Sequence, residues 1–531
     1  MDRFIPRVFN FGSVGFATDL PSQARELTHW LKAENCLFEV SGKVRKVGGA
    51  SKINSTVVES GADILGMFDF WRGGGAASFT QKFVIVSNQK VLKEDMDGAF
   101  DDITGAASIT ANVVPIFCQA RDLLTIWTSA NDTALKWNMT GNVASLGGTP
   151  PVGRGMVFHV NRGWVWGVNA NPSRLYYSSS TDIEDWSGAD TGSIDIEPED
   201  GDRIIGAVSF KQILFVFKGP NKGSIHMIGG TSPTGADGFS RKVMVRGIPL
   251  QTHNSIVSSG NDIFFQSDKG IHSLSATEQF GNFSEANVTR FLRTFFSEQI
   301  NQTQLHKVWG VDYREKGCLL WVMPGIGNTE NNLTFGLSYA RLKEEGWKPF
   351  TWTRSGISMA IRKNPTTYVN QVAFGGTDGF CRLQDVSARN IDGTTAYNLR
   401  LLSPEIIIGQ ADQQGKPRAD QPVVLERLHT RATETGGWNI NIALKRDGNI
   451  SDNYTINQGL AGFLLGTSVL GTGILGGSRT LVRYSNPSVL GEARTVQFDF
   501  IQGGLNEDAD LLEFGVEYSP IAQTDAESLV G

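Results

Sequence analysis

The chain reads as an all-β protein, a β-propeller of six to eight blades followed by a smaller β-rich domain. Three observations predict this. A short apolar strand behind a polar turn recurs through the first 390 residues, and the recurrence is regular. Glycine and aromatic residues are abundant (61 Gly, 31 Phe, 12 Trp) while proline is sparse at 18, the balance of a turn-dense β protein. Finally, 531 residues exceed what one ordinary core accommodates, so a repeat array or several domains is expected.

The recurring strands are 83–86, 123–127, 163–168, 213–217, 262–266, 317–322 and 371–375, starting 40, 40, 50, 49, 55 and 54 residues apart. Around each, two-residue polar connections such as Lys211-Gln212 and Gly260-Asn261 join neighbouring strands, which favours antiparallel hairpins. Small antiparallel sheets repeated at this period are the mark of a propeller. The repeated strands are apolar on both faces because a blade is packed between two others, so Trp127, Trp166, Phe217 and Phe265 belong to the core. Two stacked sandwiches are the alternative. Two stretches predict helices. Pro21–Lys32 carries Leu27, Trp30 and Leu31 on one face, and Ser284–Ile300 has a serine N-cap and an apolar stripe of Val288, Phe291, Leu292 and Phe295. That second helix packs on a blade edge or binds a partner.

Beyond about residue 395 the spacing is lost. Strands at 423–432, 438–445, 495–501 and 511–518 predict a sandwich. The expected organisation is therefore an N-terminal extension and strap (1–60), a propeller (61–395) and a C-terminal β-rich domain (396–531). The glycine-rich apolar run 459–477 forms either a buried hairpin or a contact loop between subunits, which would use Phe463, Leu464, Leu465, Leu470, Ile474 and Leu475.

Chemistry is hard to find. The seven histidines are dispersed, the four cysteines lie far apart, and no metal, phosphate-loop or nucleophile-elbow spacing occurs. No cofactor is expected. Asp195–Asp202 alternates acids like a calcium loop but places its glycine late. Residues 129–137 and 180–186 resemble the Asp-box turns of sialidase-like propellers, which are structural; two carboxylates flanking a glycosidic bond cannot be picked out. The expectation is that the chain is no enzyme. A net charge of −6 argues against tight generic binding to nucleic acid, though not against a surface past which DNA slides without sticking. No secretory signal and no apolar run long enough to span a membrane is read in the sequence.

Residues 34–49, ENCLFEVSGKVRKVGG, are similar to the opening of the tail nozzle proteins of short-tailed bacteriophages. Arg174–Ser178 (RLYYS), Asp182–Trp186, Asp200–Gly206 (DGDRIIG) and Phe210–Lys218 (FKQILFVFK) resemble that family's central block, and 309–313, 321–325 and 346–350 fit the same scheme. The resemblance spans most of residues 30–385. It implies a virion protein, assembled in the host cytoplasm, that closes into a homo-oligomeric, typically hexameric, ring below the portal and adaptor proteins. Viral DNA would pass through without specific binding. A lumen that lets phosphate slide should be acidic or polar. The candidate lining is Glu94, Asp95, Asp97, Asp101 and Asp102 in one turn, and Asp195, Glu197, Glu199, Asp200 and Asp202 in another. The alternative function is a carbohydrate-binding or sialidase-like propeller, such as a receptor-binding tail component.

Overall fold

The computed structural model describes residues 5–521 apart from 74–78, 261, 275–286, 341, 410–420, 434, 437, 449, 458–479 and 486–490. Among the described residues a propeller of seven blades is present. Blade 1 holds Ile64–Gly73, Phe79–Ser87, Lys90–Glu94 and Phe100–Asp102, and blade 2 holds Ile116–Ala120, Leu123–Trp127, Leu135–Trp137 and Ala144–Ser145. Blade 3 is Gly155–His159, Arg162–Trp166, Arg174–Tyr177 and Gly192–Asp195; blade 4 is Arg203–Phe210, Ile213–Gly219, Ser224–Gly229 and Ser240–Arg246. Blade 5 has three strands, Val257–Ser259, Asp262–Ser267 and Gly270–Ser273, and blade 6 has Trp309–Tyr313, Cys318–Met323, Leu333–Ser338 and Lys348–Trp352. Blade 7 takes Ser358–Lys363, Asn370–Gly375 and Cys381–Val386 from one end of the propeller and Gly49–Lys52 from the other.

All seven recurring strands of the sequence are the second strand of their blade. Each is buried on both faces by the blades beside it, which explains why it is apolar throughout. Trp166, Phe217 and Phe265 are fully buried, and Trp127 almost so. The first strand of every blade lies innermost. First strands of blades 1, 2, 3 and 4 pack in succession, as do those of blades 5, 6, 7 and 1, so the ring is closed.

Closure depends on a strand borrowed from the N-terminal side. Gly49–Lys52, expected in the extension, pairs antiparallel with Cys381–Val386 and completes blade 7. A Cβ on Gly49 would collide with the carbonyl oxygen of Asn390, so only glycine fits where the two chains meet. Blade 7 is then sealed to blade 1 by polar contacts. Buried Arg362 forms a forked pair with fully buried Glu94, at 2.8 Å from Nη2 to Oε1 and 3.2 Å from Nε to Oε2. Ser358 Oγ donates to Ile64 O, and Lys363 N to Asp69 Oδ2.

The C-terminal region is a sandwich of two sheets. One orders Thr480–Ser485, Val423–Thr433, Asp510–Pro520, Val44–Lys46 and Cys36–Phe38, with Ile5–Asn10 and Glu492–Ala493 attached. The other runs Gln23–Ala24, Glu405–Ile407, Thr495–Gly503, Asn398–Leu402 and Lys32–Glu34, with the hairpin Asn439–Arg446 and Ile450–Asn457 on Thr495–Gly503. That sheet does not stop at the domain border: Lys32–Glu34 pairs in parallel with Lys348–Trp352, so the sandwich is continuous with blade 6. Between the sheets Phe11, Trp30, Phe498, Phe500 and Phe514 interlock, with Phe500 and Phe514 centroids 4.8 Å apart.

The helix expected at Pro21–Lys32 is absent. Its backbone groups bond outward instead: Gln23–Ala24 pairs with Glu405–Ile406, Leu31 N with Leu402 O, and Trp30 N with Gly15 O. Tertiary pairing outweighs a short periodic stretch. Leu27 and Trp30 are nonetheless buried. Of the second expected helix, the described part is helical over Arg290–Leu292 and Phe295–Gln299, with Leu292 and Phe295 buried and Phe291 45% exposed. The glycine-rich run 459–477 lies outside the described residues.

Three outcomes test this architecture. Trp166→Ala, which also loses the bond from Nε1 to Ile205 O of blade 4, should destabilise the protein by about 3–5 kcal/mol in denaturant unfolding. Glu94→Gln should cost about 3–5 kcal/mol by leaving Arg362 buried without its partner, whereas joint replacement of Glu94 and Arg362 by Leu and Met should cost much less. A chain lacking residues 1–52 should lose its single cooperative thermal transition, since both the seventh blade and the sandwich lose strands.

Candidate functional site

The strand order places the connection between first and second strands of every blade at one end of the propeller axis. The opposite end is closed. There Asn254, in the turn before blade 5, donates from Nδ2 to Pro115 O before blade 2 (3.1 Å), a bond that crosses the axis. Pro115 in turn rests against Gly66 of blade 1, where a Cβ would overlap its ring. Beside this bridge His253 is half-buried, its ring 5.0 Å from Trp166, and burial lowers its pKa to about 4. Above the bridge lies an axial cleft of about 320 Å³ with walls of Met67, Phe68, Phe117, Ile256, Val311 and Ile361.

One carboxylate enters this apolar cleft. Asp69 interrupts the inner strand Met67-Phe-Asp-Phe-Trp71 and holds three groups at once. Its oxygens accept from Gln81 Nε2 (2.8 Å), Trp71 Nε1 (3.0 Å) and Lys363 N (2.9 Å). Burial pushes the Asp69 carboxyl above its usual range, against these bonds. Gln81 Nε2 also donates to Lys363 O (2.7 Å), so strands of blades 1 and 7 are locked together here.

The network positions what stands beside the open mouth. Lys363 Nζ lies 5.3 Å from the ring centre of Trp71 and 5.5 Å from that of Tyr368, within the range of cation–π attraction. Tyr368 is 64% exposed and is held out at the hairpin tip in a left-handed conformation, φ 57°. A non-glycine residue adopts that conformation at a cost. The loop enforces it: Asn364 Oδ1 accepts from Thr366 N and Thr367 N, and Tyr368 N donates to Asn364 O, each at 2.9 Å. Other cations stand on the first hairpins. Arg72 donates to Asn138 O, Arg121 to Ser180 O and Thr181 O, and Lys211 covers the Phe210 ring. These four cations meet carbonyls or rings. Asp122 follows Arg121 on its turn, while Asp262 and Glu315 are carboxylates on the first hairpins of blades 5 and 6, and Glu315 Oε1 accepts from Asn370 N (2.7 Å).

A second cleft, polar and about 450 Å³, lies between turns of blades 6 and 7. There Arg382 bonds Asp378 (2.6 Å) and Asp392 (2.9 Å), Glu330 bonds Lys307 (2.5 Å), and Arg354 donates from Nη2 to Gly48 O.

The acidic residues expected to line a channel sit on the outer strands of blade 1 and between blades 3 and 4, away from the axis. Glu94 and Asp202 are corrected: both are buried. Glu94 belongs to the seam with Arg362, and Asp202 caps the turn at Asn221, Lys222 and Gly223 through their backbone N–H groups. Asp200 binds buried Lys218 (2.6 Å), whose ammonium also donates to Ile196 O and Glu197 O. The remaining acids have basic neighbours: Asp95 with Lys82 and Lys93, Asp101 with Lys93, Asp102 with Lys90, Asp195 with Arg174, Glu197 with Arg246. Asp97 and Glu199 are exposed. Phe463, Leu464, Leu465, Leu470, Ile474 and Leu475 lie outside the described residues. The four cysteines are buried thiols, and no group of three or more metal-ligating side chains occurs among the described residues. No described helix is long and apolar enough to cross a membrane. Sequence reasoning missed Asp69, Trp71, Lys363 and Tyr368; the one available signal was an aspartate inside an otherwise apolar inner strand.

No protein-family model matches the sequence, and no curated protein matches it. Among solved structures, an exo-β-1,3-galactanase from Phanerochaete chrysosporium is 10% identical with a TM-score of 0.25, covering 91% of this chain and 99% of its own. A glycoside hydrolase is 9% identical with a TM-score of 0.26, covering 87% and 100%. A gluconolactonase from Xanthomonas campestris is 11% identical with a TM-score of 0.27, covering 64% and 99%. These neighbours are enzymes, and with them the expectation that the chain is no enzyme is withdrawn. Likenesses this distant assign no reaction to the chain; what stands is an all-β propeller protein.

Proposed function

We propose that the chain is a structural subunit of the tail of a short-tailed bacteriophage, a nozzle protein. On this reading it is assembled in the host cytoplasm into a homo-oligomeric, hexameric ring below the portal and adaptor. The single observation behind this reading is that the segments carrying the resemblance are the ones this fold uses as joints. In the opening segment, Asn35 is 2% exposed and ties the end of blade 6 to the sandwich: its Nδ2 donates to Thr353 Oγ1 (2.9 Å) and Asn398 O (2.7 Å), and Thr353 N donates to its Oδ1 (2.9 Å). In the central block, Asp200, Asp202 and Lys218 form one buried polar unit that locks the crossing from blade 3 into blade 4. A motif whose members depend on each other in this way travels with its architecture.

With the propeller axis bridged by Asn254 and Pro115, a DNA path in such an assembly runs between copies, not through a propeller. The outer position of the turns containing Asp97 and Glu199 suits that arrangement. A second reading, a carbohydrate-binding propeller, is favoured by the exposed Tyr368 ring beside the half-buried Trp71, since sugar faces stack on such rings.

Electron microscopy and mass photometry of the purified protein, alone and with tail extracts, test the first reading. A ring with an open lumen between propellers, of non-basic surface potential, is expected. A strictly monomeric protein that joins no particle, or a lumen lined by Lys and Arg, would reject it.

A further inference from the structure

We infer that the open mouth of the propeller axis binds a carboxylate-bearing sugar unit of a glycan, with Lys363 taking the acid group and Tyr368 and Trp71 the sugar faces. This deepens, and rests on, the carbohydrate-binding reading.

Three independent features converge. The first is rigidity. Asp69 fixes the Trp71 ring through Nε1 and the Lys363 backbone through its N–H, and the Asn364 turn fixes the backbone that carries Tyr368, so little backbone freedom is lost when a ligand arrives. A tyrosine presented in a left-handed conformation, mostly exposed, is stabilised by no core contact; the loop spends strain to display it.

The second is charge. Lys363 faces two rings, and Arg72 on blade 1 and Arg121 on blade 2 bond carbonyl oxygens. Among the described residues no carboxylate forms an ion pair with these three, and Glu315, which reaches the same hairpin, is engaged by Asn370 N (2.7 Å); their positive charges are left for an anion, in a chain whose net charge is −6.

The third is shape. Both rings attend one ammonium, a site the size of a single unit, whereas successive bases of a nucleic acid strand are held on a longer run of stacking platforms. Arg121 bonds Ser180 O and Thr181 O, and the same connection continues into Asp182 and Asp185, carboxylates that oppose a long polyanion. A single acidic unit fits; a strand of nucleic acid does not.

Calorimetric titration of the full chain with an oligogalacturonate and with sialyllactose tests this, against neutral oligosaccharides of matched length and an oligo-dT strand. The acidic sugars should bind at least about tenfold more tightly than the neutral ones, with the preference fading as salt rises. Lys363→Met should abolish the preference, and Tyr368→Ser should weaken all sugars about tenfold while leaving the melting temperature unchanged. Equal binding of acidic and neutral sugars would overturn the inference and leave the carbohydrate reading standing. Absence of any sugar binding would overturn both. Tighter binding of oligo-dT than of any glycan, or a preference that survives Lys363→Met, would also overturn the inference.

Discussion

A propeller is a ring made from a linear chain, and its weak point is the place where the ends meet. Everything in this molecule is arranged around that place. Backbone bonds between Gly49–Lys52 and Cys381–Val386 supply the missing edge of blade 7, and a forked buried pair, Arg362 with Glu94, supplies the lateral contact to blade 1. Isolated from water, such a pair contributes little net stability but is costly to break on one side. It therefore acts less as a glue than as a specification of which blades adjoin. The same seam carries Asp69, so the groups at the axial mouth inherit their placement from the closure.

The second organising feature is that the strap does several jobs in one pass. Ile5–Asn10 pairs with Asp510–Pro520, Lys32–Glu34 splices the sandwich to blade 6, Cys36–Phe38 and Val44–Lys46 enter the other sheet, and Gly49–Lys52 closes the ring. Propeller and sandwich share a sheet and one large hydrophobic core. Hinge motion between them would have to break backbone bonds, so the chain behaves as one stiff body.

How much of this could be read from the sequence followed from burial. Second strands are covered on both faces, and a run such as Ile213–Phe217 shows it; hence the period was legible and so was the architecture. The strap was illegible because its strands are two to six residues long and pair with residues hundreds of positions away. Ala24 to Lys32 has the composition of a helix, and only its partners make it extended. Acids were misplaced for a related reason: Glu94 and Asp97 look alike in a turn, and what separates them is Arg362, some 270 positions on. The mouth suffered in the same way, since Trp71 and Tyr368 meet only through the closure.

The strap also has a consequence in time. Synthesis delivers Ile5–Asn10 first and its partner Asp510–Pro520 last. At typical translation speeds the first strand waits roughly 25–100 s for the second. Gly49–Lys52 has no blade to join until Cys381–Val386 has emerged, and the sandwich sheet lacks its central strand until Asp510–Pro520 follows; unpaired edges invite pairing with the wrong chain in the meantime. The nascent protein can stack blades one after another, since each hairpin is local, but it cannot commit to its final body until the last strand has emerged. Premature termination anywhere upstream of residue 510 would release a polypeptide with open edges, which gives the cell's quality control a clear physical mark by which to tell finished copies from unfinished ones.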